Sequence, residues 1–190
     1  MPILVLGLVI FLGLHLLPVR TRLKASLVAS FGEIAYKGIM SLGSLVGLVL
    51  IVWGFSSARA AGAQVLWQPP TGLRHLTLLL MVPVLPLLIA AYVPGRIRAL
   101  VKHPMITAVK LWAFAHLLSN GTVPDVLLFG SFLAWGVIDR ISLKRRGAPV
   151  PAPVAHFTGG DWAAIVIGLV LYGLMVWRLH LLLIGVSPLG

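Results

Sequence analysis

Six ionisable side chains interrupt the apolar runs of this chain: His15, His103, Lys110, His116, Arg178 and His180. Such groups are unfavourable in hydrocarbon, so they face a cavity, a partner or a cofactor, or they reach for the headgroups. A neutral imidazole can ligate a metal or a haem iron and can relay a proton. His116 carries the strongest signal. It lies about 18 Å into its apolar run at 1.5 Å per residue, and Trp112 and Asn120 share its helical face at i−4 and i+4. A Trp, His and Asn stripe on a membrane helix fits the lining of a bundle interior. Lys110 lies about 9 Å into the same run, within reach of the interface for a snorkelling stem. Arg178 and His180 sit near the far end of their run and read the same way. His103 precedes Pro104 and reads as an interfacial residue before a helix with Pro at its first position. His15 is equally a helix-end histidine near the headgroups or a ligand.

Other chemistry is poorly supplied. The acids are Glu33, Asp125, Asp139 and Asp161, all at the ends of apolar runs or between them, so a paired-carboxylate acid/base site is not expected. Neither G-x-x-x-x-G-K-[ST] nor G-x-G-x-x-G occurs, which argues against a nucleotide-driven enzyme. The absence of cysteine excludes disulfides, thiolate metal sites and covalent haem attachment through C-x-x-C-H, and leaves histidine ligation open.

The elements that must position these residues are membrane helices. Hydrophobic residues make up 59% of the chain and charged ones 10%, with a mean hydropathy of +1.05. That is more apolar surface than a water-soluble fold of 190 residues buries, so lipid is part of its solvent. A bilayer core of about 30 Å needs roughly 20 apolar residues per helix. The chain accordingly predicts an all-α bundle of about six spans in a single domain: Pro2 to Leu17, Ile39 to Ser56, Leu76 to Val93, Met105 to Leu118, Val123 to Ile138 and Trp162 to Ile184. The fourth and fifth are separated only by Ser119 to Thr122 and are expected to pair as a tight antiparallel hairpin. Leu23 to Gly38 reads as an interfacial helix or a loop. Pro83 and Pro86 predict a kink in the third span, with freed carbonyls that need partners on neighbouring helices. The Gly43 to Gly47 G-x-x-x-G reads as ordinary close helix packing rather than a dedicated dimer face.

The net charge of +11 suggests membrane orientation rather than nucleic acid, because Lys and Arg fall mostly in short gaps between the runs. Arg20, Arg22, Lys24 and Lys37 follow the first span; Arg96, Arg98 and Lys102 the third; Arg140, Lys144, Arg145 and Arg146 the fifth. Arg59 and Arg74 follow the second, and none follows the fourth. The positive-inside rule makes the first set cytoplasmic and puts both termini on the other side of a bacterial inner membrane. The first run has no positive n-region and its basic cluster comes after it, so it reads as a retained span rather than a signal peptide. Gly147 to Gly160, rich in proline, reads as an extended loop.

Several runs resemble the NnrU family of bacterial membrane proteins. The most specific is KHPMITAVKLWAFAHLLSNG from Lys102 to Gly121, followed by LLFGSFLAWGVIDR from Leu127 to Arg140. The stretches LGLVIFLGLHLLPVRTRL, SLGSLVGLVLIVWGF, DWAAIVIGL and HLLLIGVSPL extend the resemblance over nearly the whole chain. It implies a role in denitrification, particularly nitric oxide metabolism. The domain is shared with the plant and cyanobacterial 15-cis-zeta-carotene isomerase, a membrane enzyme that holds haem b by histidines. Carried over, the resemblance places haem ligands at His15, a first-span His followed closely by an Arg, and at His116, in Ala-His-Leu. Where that isomerase has an alternative cysteine ligand, three residues before the span-four histidine, this chain has Ala113. Depth along ideal spans instead matches His15 with His103, so both pairings stand.

Three functions follow as expectations. The first is an NnrU-like protein of nitrogen-oxide metabolism that binds haem b and a small hydrophobic or gaseous ligand, with no role for nucleic acid. The second is a haem-dependent cis-trans isomerase of a polyene. The third is a cofactor-free transporter subunit in which His116, Asn120, Trp112 and Lys110 line a path.

Overall fold

Hydropathy dictates helices, and the computed structural model, which describes residues 1–189, is built of helices joined by turns and loops. Among the described residues the β pairing amounts to an isolated bridge between Val65 and Thr122. The helices are α1 (Pro2–Leu16), α2 (Thr21–Phe31), α3 (Glu33–Ala60), α4 (Thr71–Met81), α5 (Val84–Ala90), α6 (Arg96–Val101), α7 (Pro104–Ser119), α8 (Val123–Arg145), α9 (Gly159–Leu174) and α10 (His180–Ile184). A 3-10 turn, Leu17–Val19, extends α1, and a π-helical turn, Met175–Leu179, joins α9 to α10.

Five helical stretches are long and apolar enough to cross a bilayer: Pro2–Val19, Glu33–Ala60, Thr71–Ala90, Val123–Arg145 and Gly159–Ile184. The sixth expected span is α7, whose 16 residues cover about 24 Å. The outward surface is that of a protein solvated by lipid: Ile34 is 89% exposed, Trp177 74% and Leu183 69%. The chain is therefore a polytopic helical membrane protein.

The helices form two compact units. The first comprises Met1–Gln68 and Gly121–Arg145, hence α1, α2, α3 and α8. In it α1 and α3 run antiparallel with their backbones in contact, because glycine removes the side chains between them. A methyl group on Gly54 would stand 2.3 Å from the Leu4 nitrogen, and one on Gly47 would stand 2.8 Å from the Phe11 nitrogen. On the other helix, a methyl on Gly7 would meet the Ile51 nitrogen at 2.6 Å. The G-x-x-x-G thus serves packing within the chain, as expected. Leu4, Leu8 and Leu12 form the buried stripe of α1. Gly32, at φ +79, separates α2 from α3, so the stretch expected as an interfacial helix or loop becomes a separate helix with no buried residue plus an extra turn of α3.

The second unit comprises Pro69–Asn120 and Arg146–Gly190. The expected interruption of the third span falls at Val82–Pro83, between α4 and α5. Pro83 offers no N–H to the Leu79 carbonyl. The Val82 N–H turns to that carbonyl instead, at 3.2 Å, and the Tyr172 hydroxyl of α9 donates to the Leu78 carbonyl at 2.8 Å. This is the partner from a neighbouring helix that a proline break requires. Gly168 of α9 lies against Pro86, where a methyl would stand 2.4 Å from the Pro86 nitrogen.

The helices expected to pair as a hairpin fall in different units: α7 packs on α4 and α5 in the second, and α8 packs on α1 and α3 in the first. Within the first unit the start of α8 is held by the segment after α3. Leu66 and Trp67 both donate their N–H to the Gly121 carbonyl, at 2.7 and 3.2 Å, and Val123 donates to the Gln64 carbonyl at 3.0 Å. Any Cβ at Gly121 would overlap the Trp67 carbonyl oxygen. Gly121 is therefore pinned within the first unit.

Candidate functional site

In the first unit, His15 lies in the last turn of α1, three residues beyond Leu12 and on the same buried stripe. Its Nδ1 is 2.7 Å from the Phe11 carbonyl oxygen. A carbonyl only accepts, so Nδ1 is the donor in this contact. The Phe11 ring stacks on the imidazole with centroids 4.2 Å apart, and Trp135 of α8 meets it edge-on at 5.9 Å. Phe132, one turn earlier on α8, contacts Phe11 at 5.6 Å. The imidazole is thus half-buried in an aromatic pocket whose walls come from α1 and α8. The Trp135 indole Nε1 is buried there and has no hydrogen-bond partner. A buried donor left without an acceptor is disfavoured by about 1–3 kcal/mol, so this position suits an acceptor on a bound group.

In the second unit, His116 repeats the arrangement. Its Nδ1 is 2.9 Å from the carbonyl oxygen of Trp112, again the residue at i−4, and again an aromatic one, with ring centroids 5.4 Å apart. Here too Nδ1 is the donor. Asn120 completes the stripe by donating its amide to the His116 carbonyl at 2.8 Å, which closes the end of α7. The asparagine is therefore a helix cap as well as a neighbour of the site. One residue before the histidine, the Ala115 carbonyl accepts a 2.8 Å hydrogen bond from the buried Thr77 hydroxyl of α4. Ala113 and Ala115 are fully buried, which lets α7 lie close to its neighbours.

The remaining candidates occupy different settings. His103 caps α7; its carbonyl accepts from the backbone and hydroxyl of Thr107, each at 3.1 Å. Thirteen residues separate it from His116, about 20 Å of helix, so these two cannot share one iron. Lys110 is half-buried and lies about 120° around α7 from His116 at 3.6 residues per turn, off the Trp112–His116–Asn120 stripe. Arg178 is exposed within the π-helical turn, and His180 places its Nδ1 2.7 Å from the Val186 carbonyl.

Sequence reasoning passed over Asp161, grouped above with the acids at the ends of apolar runs. It is only 1% exposed and accepts four hydrogen bonds: from the N–H groups of Arg96, Ile97 and Thr158 at 2.9, 2.7 and 2.8 Å, and from the Thr158 hydroxyl at 3.0 Å. It caps α6 and α9 together, and the close approach excludes a side chain at Gly95, whose methyl would meet Oδ1 at 2.5 Å. The signal was local: Thr158-Gly-Gly-Asp161 is a capping-box spacing. Thr77, Tyr172 and Trp135 act through other helices and leave no such trace.

Comparison with curated proteins and with solved structures finds no match. The family model described as NnrU protein matches residues 3–188, a range that takes in both histidine stripes and the Asp161 cap. Nearly the whole chain is covered, and the protein belongs to the NnrU family.

Proposed function

We propose that this chain is a multi-pass protein of the bacterial inner membrane that serves nitrogen-oxide metabolism and holds haem b through histidine, with His15 and His116 each a candidate ligand. The observation that supports this reading is the matched state of the two side chains: each binds its own i−4 carbonyl through Nδ1, beside an aromatic ring at i−4. That hydrogen bond fixes tautomer and ring orientation and raises ligand basicity, as the outer partner of a metal-bound histidine does. The orphaned Trp135 indole beside His15 adds a donor for a polar edge of the group. Bound haem would supply reversible one-electron chemistry and affinity for small gaseous ligands. The residues of this chain would orient the imidazoles, exclude water with Phe11, Phe132, Trp112 and Trp135, and hold the helix ends in place through Asn120 and Asp161.

The proposed orientation sets the basic gaps carrying Arg20, Arg98 and Lys144 in the cytoplasm and both termini outside, on the charge asymmetry of the sequence.

The test is the visible spectrum of the detergent-purified protein, oxidised and dithionite-reduced, before and after haemin addition, for the parent, His15→Ala, His116→Ala and His103→Ala. A Soret band with sharp reduced α and β bands, lost in the first two variants and kept in the third, supports the reading. No band after reconstitution refutes it. Loss in His103→Ala with retention in His116→Ala moves the second ligand to His103.

A further inference from the structure

At one end of the first unit, the turn Leu17–Val19 and the last turns of α8 border a shallow open groove of about 460 Å³, lined by Val19, Ile138, Ile141, Ser142 and Arg145. On α8 the four lining residues are spaced i, i+3, i+4 and i+7, so they form one stripe along the helix. The composition of the stripe is graded. Ile138 and Ile141 are apolar and nearly half exposed, and a turn further on stand the Ser142 hydroxyl and the exposed Arg145 guanidinium. From Ile138 to Arg145 the rise is about 10 Å.

That gradient follows the membrane itself. The stretch Val123–Arg145 is one of the long apolar helices, so Arg145 stands at its end and Ile138 two turns inside it. Arg145 is the charged residue among those that line the groove. No acid lines it. A guanidinium and a hydroxyl above two isoleucines match a phosphate ester above an acyl chain, in charge and in order of depth.

We propose that this groove is a binding site for an anionic phospholipid, whose phosphate is held by Arg145 and Ser142 and whose acyl chain lies along Ile138, Ile141 and Val19. The groove uses neither histidine, although it continues the helix faces of the His15 pocket: Val19 follows His15 at i+4, and Ile138 and Ser142 follow Trp135 at i+3 and i+7.

Binding is measured on the full chain in zwitterionic detergent with fluorescent phosphatidylglycerol and phosphatidylcholine, each titrated against inorganic phosphate. Phosphatidylglycerol is expected to bind saturably and more tightly than phosphatidylcholine. Arg145→Ala should weaken it about fivefold, the effect of roughly one basic residue at a membrane surface, and Ile141→Trp should reduce it by filling the groove. Arg22→Ala, an exposed basic residue of α2 outside the groove, is the control and should change nothing. Equal binding of the two lipids overturns the proposal. So does full displacement by inorganic phosphate, which would mark a plain anion site. An equal loss in Arg22→Ala would mean a diffuse surface potential and also overturns it. Should Ile141→Trp not fold, Arg145→Glu reverses the charge at the groove: weaker phosphatidylglycerol binding keeps the site, and unchanged binding removes it.

Discussion

The α1–α3 contact should fail at a single added methyl group. In Gly54→Ala the new carbon would stand 2.3 Å from the Leu4 nitrogen, 2.6 Å from the Leu4 Cα and 2.8 Å from the Ile3 carbonyl carbon. Ordinary contact between such atoms is about 3.5–4.0 Å. All three neighbours are backbone, so no rotamer change relieves the overlap and the two helices must separate by about 1 Å. Overpacking of this kind destabilises by about 1–3 kcal/mol. Replacing a helical glycine by alanine returns about 0.5–1 kcal/mol. The net expectation is a loss of about 1–2 kcal/mol, or several degrees in Tm at about 2–4 °C per kcal/mol for a chain of this length. The same helix supplies its own control at Gly38, where a methyl meets nothing within 4 Å. Gly38→Ala should hold or raise Tm. The assay is thermal unfolding in one detergent, followed by circular dichroism, with size-exclusion chromatography to confirm that the starting state is monodisperse. If Gly54→Ala is as stable as Gly38→Ala, backbone contact does not hold α1 to α3 and the packing argument is wrong.

Three further expectations concern other parts of the chain. Asp161→Asn replaces one acceptor oxygen by an amide that faces backbone N–H groups, so it should lower stability by about 1–3 kcal/mol; an unchanged melting curve would show that the four bonds to Asp161 do not hold the ends of α6 and α9. Tyr172→Phe removes the partner of the Leu78 carbonyl and should destabilise by about 0.6–2 kcal/mol, in the range of interhelical hydrogen bonds in membranes, with amide exchange at the α4–α5 break as a local readout. The chain has no cysteine, so Ser187→Cys and Arg98→Cys are clean reporters of orientation: a membrane-impermeant maleimide should label the first in intact cells and reach the second only after lysis. The reverse pattern would invert the topology.

The spans were legible because hydropathy over about 20 residues survives any packing arrangement, and the break at Pro83 was legible because a missing N–H is a local fact. The Trp112–His116–Asn120 stripe could be read for the same reason, since i±4 spacing determines what a helix places on one face. The break at Gly32 was less visible: the stretch from Leu23 to Gly38 reads as one mixed segment until the +79° φ of that glycine divides it. The capture of Gly121 by Leu66 and Trp67, residues more than fifty positions earlier, is a tertiary contact with no local trace. The pocket around His15 was half readable. Phe11 lies one turn away on the same helix, but Trp135 comes from α8, and nothing in the local pattern of either helix announces the pairing.

Neither unit is continuous along the chain: Gly121–Arg145 belongs with Met1–Gln68, while Pro69–Asn120 belongs with Arg146–Gly190. A ribosome makes residues in order, at about 5–20 per second. When α3 has emerged, α1 can already lie against it, but α8 arrives only after α4 to α7 have been made, several seconds later at that rate. During that interval the aromatic face of α1 that carries Phe11 and His15 waits for Phe132 and Trp135. The pocket around His15 is thus completed late in biogenesis, and a chain stopped at Gln68 would carry the histidine without the wall that encloses it.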